Sequence, residues 1–183
     1  MAGTIDLCMT DANGYGVFDY RFLNSIGNGQ DIKVWSVQDM INKAIAAASQ
    51  PGARIKNLYI NGHGAPGIQS VGLGKQSVDK DPTGERSLQL DPDWYGQLLG
   101  VTAWAGLGLL TDYMADDAMV TLSGCEVAAG PTGKALIAAV AQAMGVWVQA
   151  ADAKQYAWIP GWEGRLWKAS PSGDILCPNG DYM

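Results

Sequence analysis

One histidine, His63, and three cysteines, Cys8, Cys125 and Cys177, are the side chains of this 183-residue sequence best suited to proton transfer and nucleophilic attack near neutral pH. Imidazole is the side chain whose unperturbed pKa lies closest to neutrality, so general acid or base work falls to His63. A turn histidine satisfied by backbone hydrogen bonds is the competing reading. Gly62 and Gly64 weigh against it, because they leave the ring uncrowded and let main-chain N–H groups approach a bound carbonyl. Cys125 follows Gly124 and stands in a turn before a helix, where oriented N–H groups favour a thiolate and bind an oxyanion. Buried filler is the commoner role of a lone cysteine, and it suits Cys8, inside a strand, and Cys177, in the tail.

Other chemistries are excluded by single positions. Three cysteines with no close pairing fit neither a disulfide framework nor a zinc site, so at least one thiol stays free. The stretch Ala128-Ala129-Gly130-Pro131-Thr132-Gly133-Lys134-Ala135 imitates a phosphate-binding loop. Ala135 replaces the hydroxyl residue that would hold magnesium, however, and Pro131 removes an amide donor. A phosphatase loop needs arginine where Pro131 stands. With a net charge of −6 and a pI of about 4.5, the chain lacks the clustered Lys and Arg of a nucleic-acid or anionic-membrane binder. Tryptophans such as Trp147, Trp158, Trp162 and Trp167 therefore read as packing, not as a base-stacking platform.

The elements that must position these residues follow from length and pattern. The size and the 48% hydrophobic content fit one domain over residues 1–183, and 24 glycines point to an α/β fold with tight turns, not a helical bundle. Residues Thr4 to Met9 read as a first strand, followed by a loop with Asp11. Ser36-Val37-Gln38-Asp39 looks like a capping box, and Val37, Met40, Ile41, Ala44 and Ala48 share one helical face up to Gln50-Pro51-Gly52. Ile55 to Ile60 is a buried strand running into Asn61-Gly62-His63-Gly64. Residues 65–92 read as a long surface loop with one short strand near Leu88 to Leu90. One or two helices fall in Trp94 to Met114. A strand over Ala118 to Leu122 delivers Ser123-Gly124-Cys125, and a helix over Lys134 to Met144 closes at Gly145. Val146 to Ala150 and Gly164 to Ala169 complete the strands, with Asp152 between them.

Strands alternating with helices predict a mostly parallel sheet covered on both faces, a three-layer α/β/α architecture. Ligands gather beyond the carboxyl ends of such strands. Parallel neighbours would therefore collect Asp11, His63, Cys125 and Asp152 on one rim. The N-terminus has neither a basic nor a long apolar segment, which predicts a cytoplasmic product of synthesis and leaves export as an effector open. The longest apolar stretch, Leu98 to Leu110, is too short to span a membrane.

The segments Leu58-Tyr59-Ile60-Asn61-Gly62-His63-Gly64 and Val120-Thr121-Leu122-Ser123-Gly124-Cys125-Glu126-Val127-Ala128-Ala129-Gly130 resemble the His-Gly and strand-Cys motifs of the caspase-like cysteine peptidases, which include metacaspases, legumains, gingipains and separase. Cys-x-Val-Ala-x-Gly is most similar to a bacterial caspase-like domain of largely uncharacterised function found in large surface proteins. Ser123-Gly124-Cys125 stands where caspases have Gln-Ala-Cys, so the resemblance does not carry aspartate specificity.

The resemblance implies a cysteine endopeptidase with Cys125 as nucleophile and His63 as general base and acid. The N–H groups of Gly64 and Cys125 would form the oxyanion hole, with no metal or organic cofactor. It also implies that Asp11, Ser123 and Asp152 line the pocket for the residue before the cut. Two carboxylates there favour Arg or Lys in a protein or peptide substrate and make Lys75, Lys80 and Arg86 candidate self-processing sites. Two rivals stand beside this reading. One is a caspase-like binding or adhesion module without turnover, and the other is an acyl hydrolase or transferase using the same two residues.

Overall fold

A computed structural model describes residues 3–13, 29–49, 52–74, 81–91, 97–155 and 162–176. Its strands are β1 (Thr4–Asp11), β2 (Gln30–Val34), β3 (Arg54–Asn61), β4 (Gly64–Ala65), β5 (Ile68–Ser70), β6 (Ser87–Gln89), β7 (Met114–Leu122), β8 (Trp147–Ala151), β9 (Leu166–Ala169) and β10 (Ile175–Leu176). Seven of them form one sheet in the order β10-β9-β8-β7-β3-β1-β2. From β2 to β8 every pairing is parallel, whereas β9 and β10 run antiparallel. The chain thus adopts an α/β fold with a mostly parallel central sheet, as the alternation of elements predicts, and it is compatible with a three-layer arrangement.

The sheet has two chemically distinct faces because side chains alternate along each strand. Leu7, Leu58, Val120 and Val148 lie side by side across four strands, and so do Met9, Ile60, Leu122 and Ala150. All eight belong to one buried apolar cluster. The alternate positions are more polar. There Asn61 Nδ2 donates to Cys8 Sγ (2.8 Å) and Gln149 Nε2 to Thr121 Oγ1 (3.0 Å). Burial, together with the charge of Asp6 and then of Cys8, pushes the Tyr59 phenol above its ordinary pKa on this face.

Among the described residues three helices supply the other half of the apolar cluster: α1 (Val37–Ala48), α2 (Val101–Gly108) and α3 (Gly130–Met144). The crossovers β2 to β3, β3 to β7 and β7 to β8 all step the same way across the sheet. Right-handed connections therefore put these three described helices on one face, where α1 packs on α2 and α2 on α3. The Ser36 hydroxyl accepts the Asp39 N–H (3.1 Å) and caps α1 as the sequence pattern predicts. Pro131 sits in the first turn of α3, and Gly145 ends that helix in the left-handed conformation (φ 66°), with its N–H on Ala141 O. Among the described residues no helix is long and apolar enough to cross a membrane.

The segment from residue 65 to 92 departs from its expected character. Beyond β4 it contributes β5 and β6, which form a small antiparallel sheet with β4, and Gln69, Ser70, Val71, Ser87 and Leu88 are completely buried. Its polar residues mimic a solvated loop but bond to one another: the carboxylate of buried Asp81 accepts the Ser87 hydroxyl (2.7 Å) and the Arg86 N–H (2.9 Å). The short strand expected near Leu88 is β6. Strand β2, at the sheet edge, was not legible in the sequence pattern. Lys75 and Lys80 lie outside the described residues, as does Cys177.

Candidate functional site

β3 and β7 are parallel neighbours, and Ile60 pairs with Leu122. His63 stands three residues beyond the first and Cys125 three beyond the second, so both leave the sheet at the same level. Ser123 N–H still donates to Ile60 O (2.9 Å), after which the two chains turn. The turns then press into each other. A Cβ on Gly64 would lie 2.6 Å from Cys125 O and 2.7 Å from Cys125 N, and one on Gly124 would lie 2.8 Å from Gly64 Cα. Main chain meets main chain here, which only glycine permits. Gly62 serves the same purpose toward Ser70, whose carbonyl oxygen would be 2.5 Å from its Cβ.

The Cys125 turn carries backbone strain. Glu126, next to the thiol, has φ 57°, the left-handed region that non-glycine residues seldom occupy. The end of β8 and the residues just after it strap this turn down: Ala128 N–H donates to Ala151 O and Glu126 N–H to Ala153 O, each at 2.9 Å. The half-buried Cys125 sulfur accepts the Gln155 N–H at 3.3 Å and lies 3.6 Å from Gln155 O. Gln155 itself is clamped. Its Nε2 donates to Ala153 O and Glu163 O, and its Oε1 accepts the Glu163 N–H. No hydrogen bond among the described residues joins the half-buried His63 ring to the sulfur. The two side chains stand on adjacent turns.

The nitrogens of the two expected oxyanion donors, Gly64 and Cys125, both lie near the contact between the turns. Ser70 N–H donates to His63 O (2.8 Å). The next pair of the ladder, Gly64 with Gln69, is therefore the non-bonded one, and Gly64 N–H turns away from β5. Gly64 N lies 3.0 Å from the point a Gly124 Cβ would occupy. Among the described residues Cys125 N–H has no hydrogen-bond partner.

Asp11 and Asp152 are at strand ends on the same rim, yet their oxygens are spoken for. Asp11 is almost completely buried. Its Oδ2 accepts the Ser70 hydroxyl (2.5 Å) and Gly74 N–H (3.0 Å), and its Oδ1 accepts the Asn13 N–H (2.8 Å). Asp152 Oδ1 accepts the Arg165 N–H (2.7 Å) and Oδ2 the Trp167 indole N–H (2.9 Å). Burial by itself would raise the Asp152 pKa, but these two bonds and the Arg165 charge outweigh it and hold the carboxyl below its ordinary value. Both aspartates thus bind their own chain, a role that a position just past a strand cannot distinguish from substrate selection. Ser123 differs. Its buried Oγ has no hydrogen-bond partner within the described structure.

Of the three candidate processing positions, Arg86 is described, and its carbonyl accepts the N–H groups of Val71 and Gly72, which ties down the bond a protease would cut. Gln69 and Gln155 were missed by sequence reasoning, since glutamine in a polar stretch carries no motif. Among the described residues no three His, Cys, Asp or Glu side chains converge as a metal site.

A family model described as "Domain of unknown function (DUF4347)" matches residues 16–156, well over half of the chain. No curated protein and no solved structure matches the chain.

Proposed function

We propose that this chain, which belongs to the DUF4347 family of domains of unknown function, is a cysteine peptidase of caspase-like type. The observation that carries the reading is the level placement of His63 and Cys125 on paired strands, with their turns brought into backbone contact through Gly64 and Gly124. In such a site His63 takes the thiol proton as the Cys125 sulfur attacks a peptide carbonyl. The oxyanion accepts the N–H groups of Gly64 and Cys125, and imidazolium returns its proton to the leaving amine. Water, deprotonated by the same imidazole, then releases the acyl group from sulfur. The buried Ser123 hydroxyl is a polar group left over for the substrate side. The internal commitments of Asp11 and Asp152 lend no support to selection of Arg or Lys, so the proposal is confined to peptide-bond hydrolysis.

A second reading, a caspase-like binding module without turnover, draws on the Cys125–Gln155 contact, which occupies the sulfur in place of His63. Iodoacetamide labelling of the whole chain, combined with assays on a peptide library and on small thioesters, separates the readings. The peptidase reading expects Cys125 to label faster than buried Cys8 in a manner that depends on His63. It also expects peptide cleavage that falls by about a thousandfold or more in Cys125→Ala and His63→Ala. Labelling of Cys125 no faster than of Cys8, with no cleavage, leaves the binding module. Turnover of thioesters alone makes the protein an acyl hydrolase or transferase.

A further inference from the structure

Strand β5, Ile68-Gln69-Ser70, borders both turns, and a continuous run of hydrogen bonds passes through it. Ser70 N–H donates to His63 O (2.8 Å), Gln69 Nε2 donates to Ser70 O (2.9 Å), and Gln69 Oε1 accepts the Gly124 N–H (2.8 Å). Gln69 is completely buried. The same strand is anchored to the end of β1, because the Ser70 hydroxyl donates to Asp11.

Both ends of the Gln69 amide are therefore used, one as donor and one as acceptor. Glutamate would lack the donor, methionine would lack both, and asparagine would be a methylene too short to span the gap. The group it holds is the backbone of Gly124. Glycine has the widest conformational freedom of any residue, and this one immediately precedes the proposed nucleophile. A buried amide on its N–H removes that freedom at the point where it would blur the position of Cys125 N–H and Sγ.

We infer that Gln69 is a positioning residue, which pins Gly124 and thereby fixes the Cys125 turn in register with the His63 turn. The catalytic consequence rests on the peptidase reading. The pinning itself does not.

The experiment uses the full chain and two substitutions. Gln69→Met keeps the length but removes both bonds, whereas Gln69→Glu keeps an acceptor for Gly124 and loses the donor to Ser70. Native-state amide exchange at Gly124, with Val120 of β7 as an internal reference, reads the pinning. In Gln69→Met the Gly124 exchange rate is expected to rise by about tenfold or more while Val120 stays within about twofold. With an active wild type, kcat is expected to fall by about 100-fold with KM within about twofold, since positioning acts in the transition state. Gln69→Glu is expected to keep Gly124 exchange slow and to recover most of kcat.

Unchanged Gly124 exchange in Gln69→Met overturns the inference. So does an equal rise at Val120, which would make Gln69 a general stabiliser. Should Gln69→Met not fold, fast Gly124 exchange in Gln69→Glu overturns it alone. A wild type that hydrolyses nothing removes the peptidase reading and leaves the exchange measurement to decide Gln69.

Discussion

Glycine does more to define this site than any charged residue. At Gly64 a methyl group would meet Cys125 O, Cys125 N and Val127 Cγ2 inside van der Waals contact, and two of those three atoms are backbone and unable to swing aside. Gly64→Ala is therefore expected to cost about 1–3 kcal/mol in urea unfolding and to disturb the reactivity of Cys125 out of proportion to that loss. A midpoint equal to wild type would mean that the turns are not in contact. The glycines around His63 and Cys125 are visible in the sequence, and so is the chemistry of the two side chains. The fates of Asp11 and Asp152 were not. An aspartate just past a strand has the same local pattern whether it faces a substrate or accepts its own chain's N–H groups, and only the positions of Ser70, Gly74, Arg165 and Trp167 decide between them.

At the scale of elements, legibility follows length. α1 carries nearly three and a half turns of apolar periodicity with a hydroxyl cap, so its start is written locally. Ser36→Ala is expected to lower stability by about 1 kcal/mol, measured as a shift of the urea midpoint with an unchanged slope. No shift would mean that the Ser36–Asp39 bond is matched by water. β3 and β7 are similarly plain, as apolar runs ending in glycine. β4, β5 and β6 are two or three residues long, too short for any period to show, and their polar residues suggest solvent. The burial of β5 rests on long-range partners, Asp11 and Gly124, which no window of neighbouring residues contains. That is why a segment expected to be a surface loop is in fact the bracket that holds both turns of the candidate site.

For the whole molecule, the rim of the parallel strands is where separate elements are tied together, and Asp152 is one of the ties. It joins the end of β8 to the start of β9 through the Arg165 main chain and the Trp167 indole. Its folded-state pKa is depressed, so its contribution to stability is fully present above the ordinary value of 3.8 and is lost as pH falls through the lower folded value. The melting temperatures of wild type and Asp152→Asn are thus expected to differ by a constant amount near neutrality. They should converge as the pH drops below 3.8. A gap that widens in acid would reverse the sign of this linkage.

Residue type and short-range spacing determined the class of fold, the two long helices α1 and α3, the strands β3 and β7, and the identity of His63 and Cys125 as the groups able to do chemistry. Those properties depend on side-chain chemistry and on periods of two and 3.6 residues, which a linear chain displays openly. The level meeting of the two turns, the internal use of Asp11 and Asp152, and the roles of Gln69 and Gln155 were decided by tertiary structure alone. Each depends on a contact between residues distant in the chain, and such contacts exist only after strands β1, β3, β7 and β8 have been laid side by side.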